Sequence, residues 1–291
     1  MTTLARRPSV LLMAVARPWF WPVSWAPAYL GTVLAGRAWL PDDVPRAAVA
    51  LLVLGPLIWG AVLAQNDLHD LDSDRANPRK ANAPLVTGAV SAARLRRWYA
   101  LMAVASVGAA LVVGPLFVVG VGGVLVLGWA YSVPPLRLKT RPGWDVAVNA
   151  LVVGLVSPVA GWSITREPWQ FPWQFGVIGV LFAAALYVPT TVTDLVADTG
   201  AADTTFAVRF GARVAYAIGL VLWVSALVFS LVCAAFDVLV PRSTLVPQLF
   251  MAPALAGVYA ALTVRPTITK LAVVSLVFGI PTIGFAMAYI G

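Results

Sequence analysis

Apolar runs of about twenty residues follow one another along almost the whole chain. Of its 291 residues, 60% are apolar and only 11% are charged, whereas average soluble domains carry roughly 25% charged residues. A helix needs about 20 apolar residues to cross the hydrocarbon core of a bilayer. The sequence therefore predicts an all-α integral membrane protein.

Nine candidate spans divide the chain, and we expect them to form a single membrane domain over residues 1–291. They cover roughly residues 18–36, 47–66, 97–113, 114–132, 145–164, 172–194, 213–234, 245–264 and 270–290. The third and fourth spans meet at Gly114-Pro115, which predicts a tight turn. The single cysteine, Cys233, lies inside an apolar run and provides no disulfide framework.

The basic residues predict the orientation of these spans. The net charge is +8, and all but four of the 20 Lys and Arg residues fall on one side of a nine-span arrangement. Because basic loops are retained in the cytoplasm, we expect a cytoplasmic N-terminus, a location in the plasma membrane and an active site that faces the cytoplasm. This rule accounts for the charge better than nucleic-acid binding does, so we expect no nucleic-acid partner.

A dense group of carboxylates, the first acidic motif (residues 66–74), follows the second span. Asn66, Asp70 and Asp74 are four residues apart and would share one helix face. Asp67 lies on the flank of that face, and Asp72 points away from it. Carboxylates at a membrane face are unfavourable unless something neutralises them. A hard divalent cation such as Mg²⁺ suits this set of oxygen ligands.

A second acidic motif, Asp194 and Asp198, follows the sixth span with the same spacing of four residues. Each motif is followed by a polar loop, an apolar stretch and a glycine, which is Gly88 in one case and Gly211 in the other. This weak repeat predicts two pseudo-repeats, roughly 17–140 and 145–290, that build one central site. Two Mg²⁺ ions bridging to a diphosphate would relieve the repulsion between the two motifs. The expected metal ligands are Asn66, Asp67, Asp70, Asp74, Asp194 and Asp198.

Basic residues that suit a diphosphate lie close to these motifs in the chain. Arg binds phosphate through its planar fork and Lys through a point charge. Asn149, within the fifth span, either lines the cavity or makes an interhelical hydrogen bond. The candidate diphosphate ligands are Arg79, Lys80, Arg137, Lys139 and Asn149. The candidate catalytic residues are Asp70, Asp194, Tyr131 and Lys139.

With these motifs the chain resembles the UbiA superfamily of intramembrane prenyltransferases. The resemblance is carried by Asn-Asp-x-x-Asp-x-x-x-Asp at 66–74, Asp-x-x-x-Asp at 194–198 and Tyr-Ser-x-Pro-Pro-Leu-Arg-Leu-Lys at 131–139, and it extends over essentially the whole chain. The last segment looks most like that of chlorophyll synthases, lycopene elongases and archaeal geranylgeranylglyceryl-phosphate prenyltransferases. The resemblance implies nine helices around a central cavity, and Mg²⁺-dependent transfer of a prenyl group from its diphosphate.

Two positions depart from the pattern of this superfamily, since Ala83 and Thr199 stand where many relatives have Arg. The expected reaction ionises an allylic diphosphate of about geranylgeranyl length to a carbocation, which a lipophilic acceptor in the bilayer then captures. A membrane-embedded terpene cyclase, which needs no acceptor, is the alternative. An ion-coupled transporter would instead place its acids near the bilayer midplane.

Overall fold

The computed structural model describes residues 8–77, 80–201 and 203–291, and these residues form helices, turns and loops without a β-strand. Fifteen α-helices are defined in this part of the chain. In order they are α1 (Pro8–Val15), α2 (Trp21–Gly36), α3 (Val44–Leu52), α4 (Ile58–His69), α5 (Leu71–Ala76), α6 (Ala92–Val113), α7 (Pro115–Ser132), α8 (Trp144–Leu151), α9 (Ser157–Trp162), α10 (Trp173–Thr193), α11 (Leu195–Gly200), α12 (Phe206–Phe210), α13 (Ala212–Ala235), α14 (Leu245–Thr263) and α15 (Ile268–Ile290).

Eight helical stretches among the described residues are long and apolar enough to cross a membrane. They are Val44–His69, Ala92–Val113, Pro115–Ser132, Trp144–Trp162, Trp173–Thr193, Ala212–Ala235, Arg242–Thr263 and Ile268–Ile290. They correspond to the second to ninth predicted spans, and the expected turn at Gly114 separates α6 from α7. In the region of the first predicted span, α2 has only 16 residues. The ninth crossing therefore stays a prediction.

Two of the spanning helices contain a π turn close to a proline. Val53–Leu57 includes Pro56, and Val152–Val156 immediately precedes α9. Proline has no N–H to donate, so a helix carbonyl one turn earlier loses its partner. In the first case, side chains of α2 donate to nearby carbonyls: Ser24 Oγ to Leu54 at 2.8 Å and Trp25 Nε1 to Leu51 at 2.8 Å. Polar groups of a neighbouring helix thus stabilise the irregular turn.

The chain divides within α2 into two compact units. The first unit comprises Met1–Ala26 and Asp43–Leu138. There α4 packs against both α6 and α7. Glycines allow these helices to approach closely: a Cβ on Gly60 would lie 3.1 Å from Met102 Cγ, and one on Gly128 would lie 3.0 Å from Val62 Cγ2. Small residues commonly permit such contacts between membrane helices.

The second unit comprises Pro27–Asp42 and Lys139–Gly291. One close helix crossing joins the π turn 152–156 to α10, because Gly154 and Gly179 face each other and a Cβ on either would overlap the backbone of the other. A hydrophobic cluster in the same unit surrounds Trp223, which is fully buried and stacks on Tyr259 with ring centroids 4.9 Å apart. These contacts fix α10 and α13, the helices that flank the second acidic motif.

Candidate active site

The first acidic motif lies at the point where α4 ends. Asp70 has φ −106° and ψ 3°, and it caps the end of α4 and the beginning of α5. The Asp70 N–H still donates to the Asn66 carbonyl at 3.0 Å, and the Asp74 N–H to the Asp70 carbonyl at 2.7 Å. The four-residue register predicted from the sequence is therefore kept, although the helix itself is interrupted.

Three carboxylates of this motif are buried, and each is paired with a different cation. Asp67, Asp70 and Asp74 are between 6% and 7% exposed. The pairs are Arg17 Nη2 with Asp67 Oδ1 at 2.7 Å, Arg137 Nη2 with Asp70 Oδ1 at 3.2 Å, and Lys80 Nζ with Asp74 Oδ1 at 2.7 Å. A buried carboxylate is strongly unfavourable without such a partner, so these pairs explain how three acids can share one helix end.

A hydrophobic cluster places two of these cations beside the motif. It joins the end of α1, the middle of α4, the loop before α6 and the first turn of α6. Its buried members are Val15, Ala64, Leu85, Val90 and Leu95. Arg17 lies two residues after Val15 of α1, and Lys80 lies in the loop that contributes Leu85 and Val90. Burial of the apolar residues thus fixes the two segments that carry the charges.

The third cation comes from the loop after α7. Arg137 has φ 38°, a left-handed backbone conformation that is uncommon for residues other than glycine. Such conformations are often found at functional sites, where the surrounding structure holds them in place. In the last turn of α7, Ser132 Oγ donates to Asn66 Oδ1 at 3.3 Å, and the half-buried Tyr131 precedes it. The ends of α4 and α7 are therefore joined by polar side chains.

Two other polar residues of this segment lie outside the buried set. The side chain of Asp72 is 99% exposed and lies 3.4 Å from the exposed Arg75, in agreement with its predicted orientation. His69 is exposed, and its Nδ1 lies 2.8 Å from the Gln65 carbonyl. Arg79, a predicted diphosphate ligand, lies outside the described residues.

The second acidic motif repeats the backbone geometry of the first. Asp194 has φ −101° and ψ −3°, and it caps the end of α10 and the beginning of α11. The Asp198 N–H donates to the Asp194 carbonyl at 2.9 Å. The glycines that close the following loops also have similar backbone angles, φ 76° at Gly88 and φ 83° at Gly211. This likeness is confined to the two motifs and their closing glycines, and the two pseudo-repeats stay a prediction.

The remaining predicted diphosphate ligands lie at the beginning of the second unit. Lys139 is half-buried in the 3-10 turn Leu138–Thr140. Asn149 lies one turn into α8, where its Nδ2 donates to the Asp145 carbonyl at 2.9 Å. This bond accounts for one polar atom of Asn149, and its diphosphate role stays a prediction.

The donor set fits Mg²⁺, which is usually held by one or two carboxylates together with water and substrate phosphate oxygens. Among residues 8–77, 80–201 and 203–291, no three Asp, Glu, His or Cys side chains converge into a compact metal cluster. Each buried carboxylate of the first motif is drawn toward its own cation instead. Mg²⁺ does not require a complete protein cage, because it usually keeps several waters and substrate phosphate oxygens among its ligands.

Sequence reasoning missed Arg17, which it counted only as a cytoplasmic charge. Its partner Asp67 lies 50 residues further along the chain, so no local spacing connects the two. Ser132 was also missed, although it lies inside the loop segment that carried the family resemblance. Only the packing of α1 and α7 against the end of α4 brings these side chains to the motif.

The fold and its motifs define a polytopic all-α membrane protein with acidic motifs at the ends of two spanning helices. Residues 24–263 match the UbiA prenyltransferase family, and the chain belongs to this family. It is 30% identical over 240 residues to the lycopene elongase/hydratase of Halobacterium salinarum, with 78% of this chain and 82% of that protein covered.

Two further similarities concern a plant enzyme and a solved structure. The chain is 35% identical over 150 residues to the chloroplastic chlorophyll synthase of Oryza sativa subsp. japonica, and this match covers 46% of the chain and 39% of that protein. It thus spans well under half the length of this relative. The fold resembles that of a UbiA homologue from Archaeoglobus fulgidus bound to DMAPP and Mg²⁺, with a TM-score of 0.76, 21% identity and coverage of 96% and 98% of the two chains.

Proposed function

We propose that this protein transfers a prenyl group from an allylic prenyl diphosphate to a lipophilic acceptor within the membrane, in a Mg²⁺-dependent reaction. The observation that carries this proposal is the buried, cation-paired set Asp67, Asp70 and Asp74 at the end of α4. It combines oxygen ligands for a hard cation with basic groups for phosphate. Membership of the UbiA prenyltransferase family supports the same reaction.

Both acidic motifs supply the metal ligands in this proposal. Two Mg²⁺ ions fit the number of carboxylates, and when bound they would neutralise charge on the departing diphosphate. Asp70 and Asp194 hold corresponding positions at the two helix interruptions, so we assign them the central role in each motif. The full set of proposed ligands is Asn66, Asp67, Asp70, Asp74, Asp194 and Asp198.

The basic residues bind the diphosphate and stabilise it as the allylic C–O bond breaks. Arg137 and Lys80 are held against carboxylates, so their charges are already positioned before substrate arrives, and this preorganisation favours the transition state. Arg79, Lys139 and Asn149 complete the proposed set. Tyr131 offers an aromatic face that would stabilise the allylic cation. The reaction requires that water be kept away from that cation.

The proposed topology has nine spans with a cytoplasmic N-terminus and the active site at the cytoplasmic face of the plasma membrane. The first crossing is α2 together with the preceding 3-10 turn Pro18–Phe20, which adds three residues to the 16 of the helix. The combined length approaches the roughly 20 residues that a crossing requires. The distribution of Lys and Arg supports this orientation.

Incubation of the purified protein with geranylgeranyl diphosphate and Mg²⁺, first without and then with membrane lipid extract, tests the proposed reaction. A transferase leaves the diphosphate intact until an acceptor is supplied and then forms a prenylated lipid. A cyclic hydrocarbon formed without acceptor would instead identify a terpene cyclase with the same site chemistry. Absence of diphosphate release under both conditions would contradict the proposal.

A further inference from the structure

A buried carboxylate in the second unit connects the beginning of α8 to the beginning of α12, which follows the second acidic motif. Asp145 is only 1% exposed. Its Oδ1 accepts a hydrogen bond from the Gly143 N–H at 2.8 Å, and its Oδ2 accepts one from the Phe206 N–H at 2.7 Å. Hydrogen bonds to an ionised carboxylate are shorter and stronger than neutral ones. Asp145 therefore ties residue 206 firmly to α8.

The hydrogen bond from the Phe206 N–H to Asp145 affects which partner the neighbouring Thr205 hydroxyl binds. Thr205 occupies the N-cap position of α12, where a Thr hydroxyl normally accepts a hydrogen bond from a helix N–H. Here the Thr205 side chain makes no such cap, while Asp145 accepts from the first N–H of the helix. The Thr205 hydroxyl donates instead to Asp198 Oδ2 at 3.0 Å.

We infer that Asp145 is a positioning residue that acts through Phe206 and Thr205 to orient the Asp198 carboxylate for Mg²⁺. The inference rests on the proposed metal role of Asp198. A carboxylate held by a hydroxyl loses less rotational freedom when a metal binds. Groups of this kind, which touch the ligand and not the metal, typically change metal affinity by about 10–100-fold when they are removed.

Both carboxylate oxygens of Asp145 accept a hydrogen bond, so a conservative substitution that changes one oxygen should interrupt these contacts. In Asp145→Asn one oxygen remains to accept a hydrogen bond, but the other is replaced by an NH₂ group that can only donate. One of the two backbone amides then faces a donor. Thr205→Val removes the hydroxyl while keeping the β-branched shape, and Thr205→Ser restores the hydroxyl.

The test measures Mn²⁺ binding to the full-length protein in detergent by electron paramagnetic resonance, with inorganic diphosphate present and no prenyl substrate. The site of interest is the Mn²⁺ binding that Asp198→Asn removes. We expect D145N and T205V each to raise the Kd of that site about 10-fold. The double variant D145N/T205V should bind no more weakly than either single variant, because both act along one path.

Two further variants separate orientation of Asp198 from general damage to the fold. The Thr199 hydroxyl donates to the Leu195 carbonyl at 2.6 Å, so Thr199→Val removes a hydroxyl beside the same motif and should leave the Kd and thermal unfolding temperature unchanged. T205S should restore the wild-type Kd. T205V should retain the wild-type unfolding temperature, which shows that its weaker metal binding does not arise from unfolding.

The outcomes distinguish failure of this inference from failure of the proposed function. Wild-type Mn²⁺ affinity in T205V, together with loss of a site in D198N, would overturn the inference and leave the metal role of Asp198 standing. A ten-fold loss in D145N without one in T205V would also overturn it, because the path would not run through Thr205. Unchanged binding in D198N would reject the metal role of Asp198, and the inference with it.

Discussion

At the scale of single residues, the first acidic motif is stabilised by pairing each buried acid with its own base. From their spacing, the sequence predicted that Asp70 and Asp74 share one helix face, and it proposed Lys80 and Arg137 as ligands of a diphosphate. It did not predict that these same cations would neutralise the acids. The ion pair of Arg17 with Asp67 was not predicted, because it depends on the packing of α1 against α4. Packing between distant segments produces no residue spacing that a sequence shows.

Replacement of Arg17 should destabilise the protein by leaving Asp67 buried without a partner. Removal of one member of a buried pair lowers the free energy of unfolding by about 3–5 kcal/mol. Because the Arg17 side chain is 22% exposed, we expect about 2–3 kcal/mol for Arg17→Gln. Thermal unfolding in detergent should show a clearly lower midpoint for this variant than for the wild type.

An exposed ion pair, formed by Asp72 of the same motif and Arg75 beside it, provides a matched control for Arg17. The side chains of Arg75 and Asp72 are 59% and 99% exposed, and such pairs contribute between about 0 and 1 kcal/mol. Arg75→Gln should therefore unfold at the wild-type temperature. The double variant Arg17→Gln/Asp67→Asn should recover part of the lost stability, since it removes the unpaired charge. Equal midpoints for R17Q and R75Q would contradict the assigned role of Arg17.

At the scale of helices, the sequence predicted the long spanning helices but not the interruptions within them or the short helices between them. Eight predicted spans have matching helices, and the turn at Gly114 lies where expected. The interruptions at Asp70 and Asp194 were not predicted, because no proline or glycine marks either position. A spacing of four residues is compatible with both a continuous helix and two helices that share a cap, so the spacing alone does not reveal the bend.

The Gly154–Gly179 crossing should tolerate no side chain. A Cβ added at Gly154 would overlap the backbone of residues 179 and 180, which has no flexible atoms that can move aside. Overpacking of this kind costs about 1–3 kcal/mol and sometimes more, and we expect Gly154→Ala to lie at or above the upper end of that range. The thermal unfolding midpoint and the yield of monodisperse protein both measure this effect.

Gly108 in α6 serves as the control for this substitution. A Cβ there would meet no atom within 4 Å, and alanine favours helix over glycine by about 1 kcal/mol. Gly108→Ala should therefore leave the unfolding temperature unchanged or raise it slightly. Wild-type stability in Gly154→Ala would show that α8, its π turn and α10 do not meet as closely as the structure indicates.

At the scale of the whole molecule, the apolar runs predicted an integral membrane protein, because their length matches the thickness of a bilayer. The resemblance in the acidic motifs predicted the family, and the match over residues 24–263 confirms it. The acceptor and the length of the prenyl chain could not be read from the sequence. In the proposed reaction both depend on how side chains pack between helices, which residue spacing along the chain does not show.

The proposed topology predicts that the two ends of the chain lie on opposite sides of the membrane. An odd number of spans would separate the termini in this way, and the Lys and Arg distribution predicts an N-terminus inside the cell. Reporter fusions at each end, compared in intact cells, should show a cytoplasmic N-terminus and an external C-terminus. Termini on the same side would contradict nine crossings and would indicate that α2 does not span the membrane.

The central claim is that both acidic motifs use Mg²⁺ to release diphosphate from a prenyl substrate. Its most direct test is the rate of inorganic diphosphate release from geranylgeranyl diphosphate, with membrane lipid extract as the source of acceptor. We expect release with Mg²⁺ and none with a chelator, a loss of about 100-fold or more in Asp70→Asn and in Asp194→Asn, and a wild-type rate in the exposed control Asp72→Asn. Release that persists without divalent metal, or that survives both substitutions, would contradict the account.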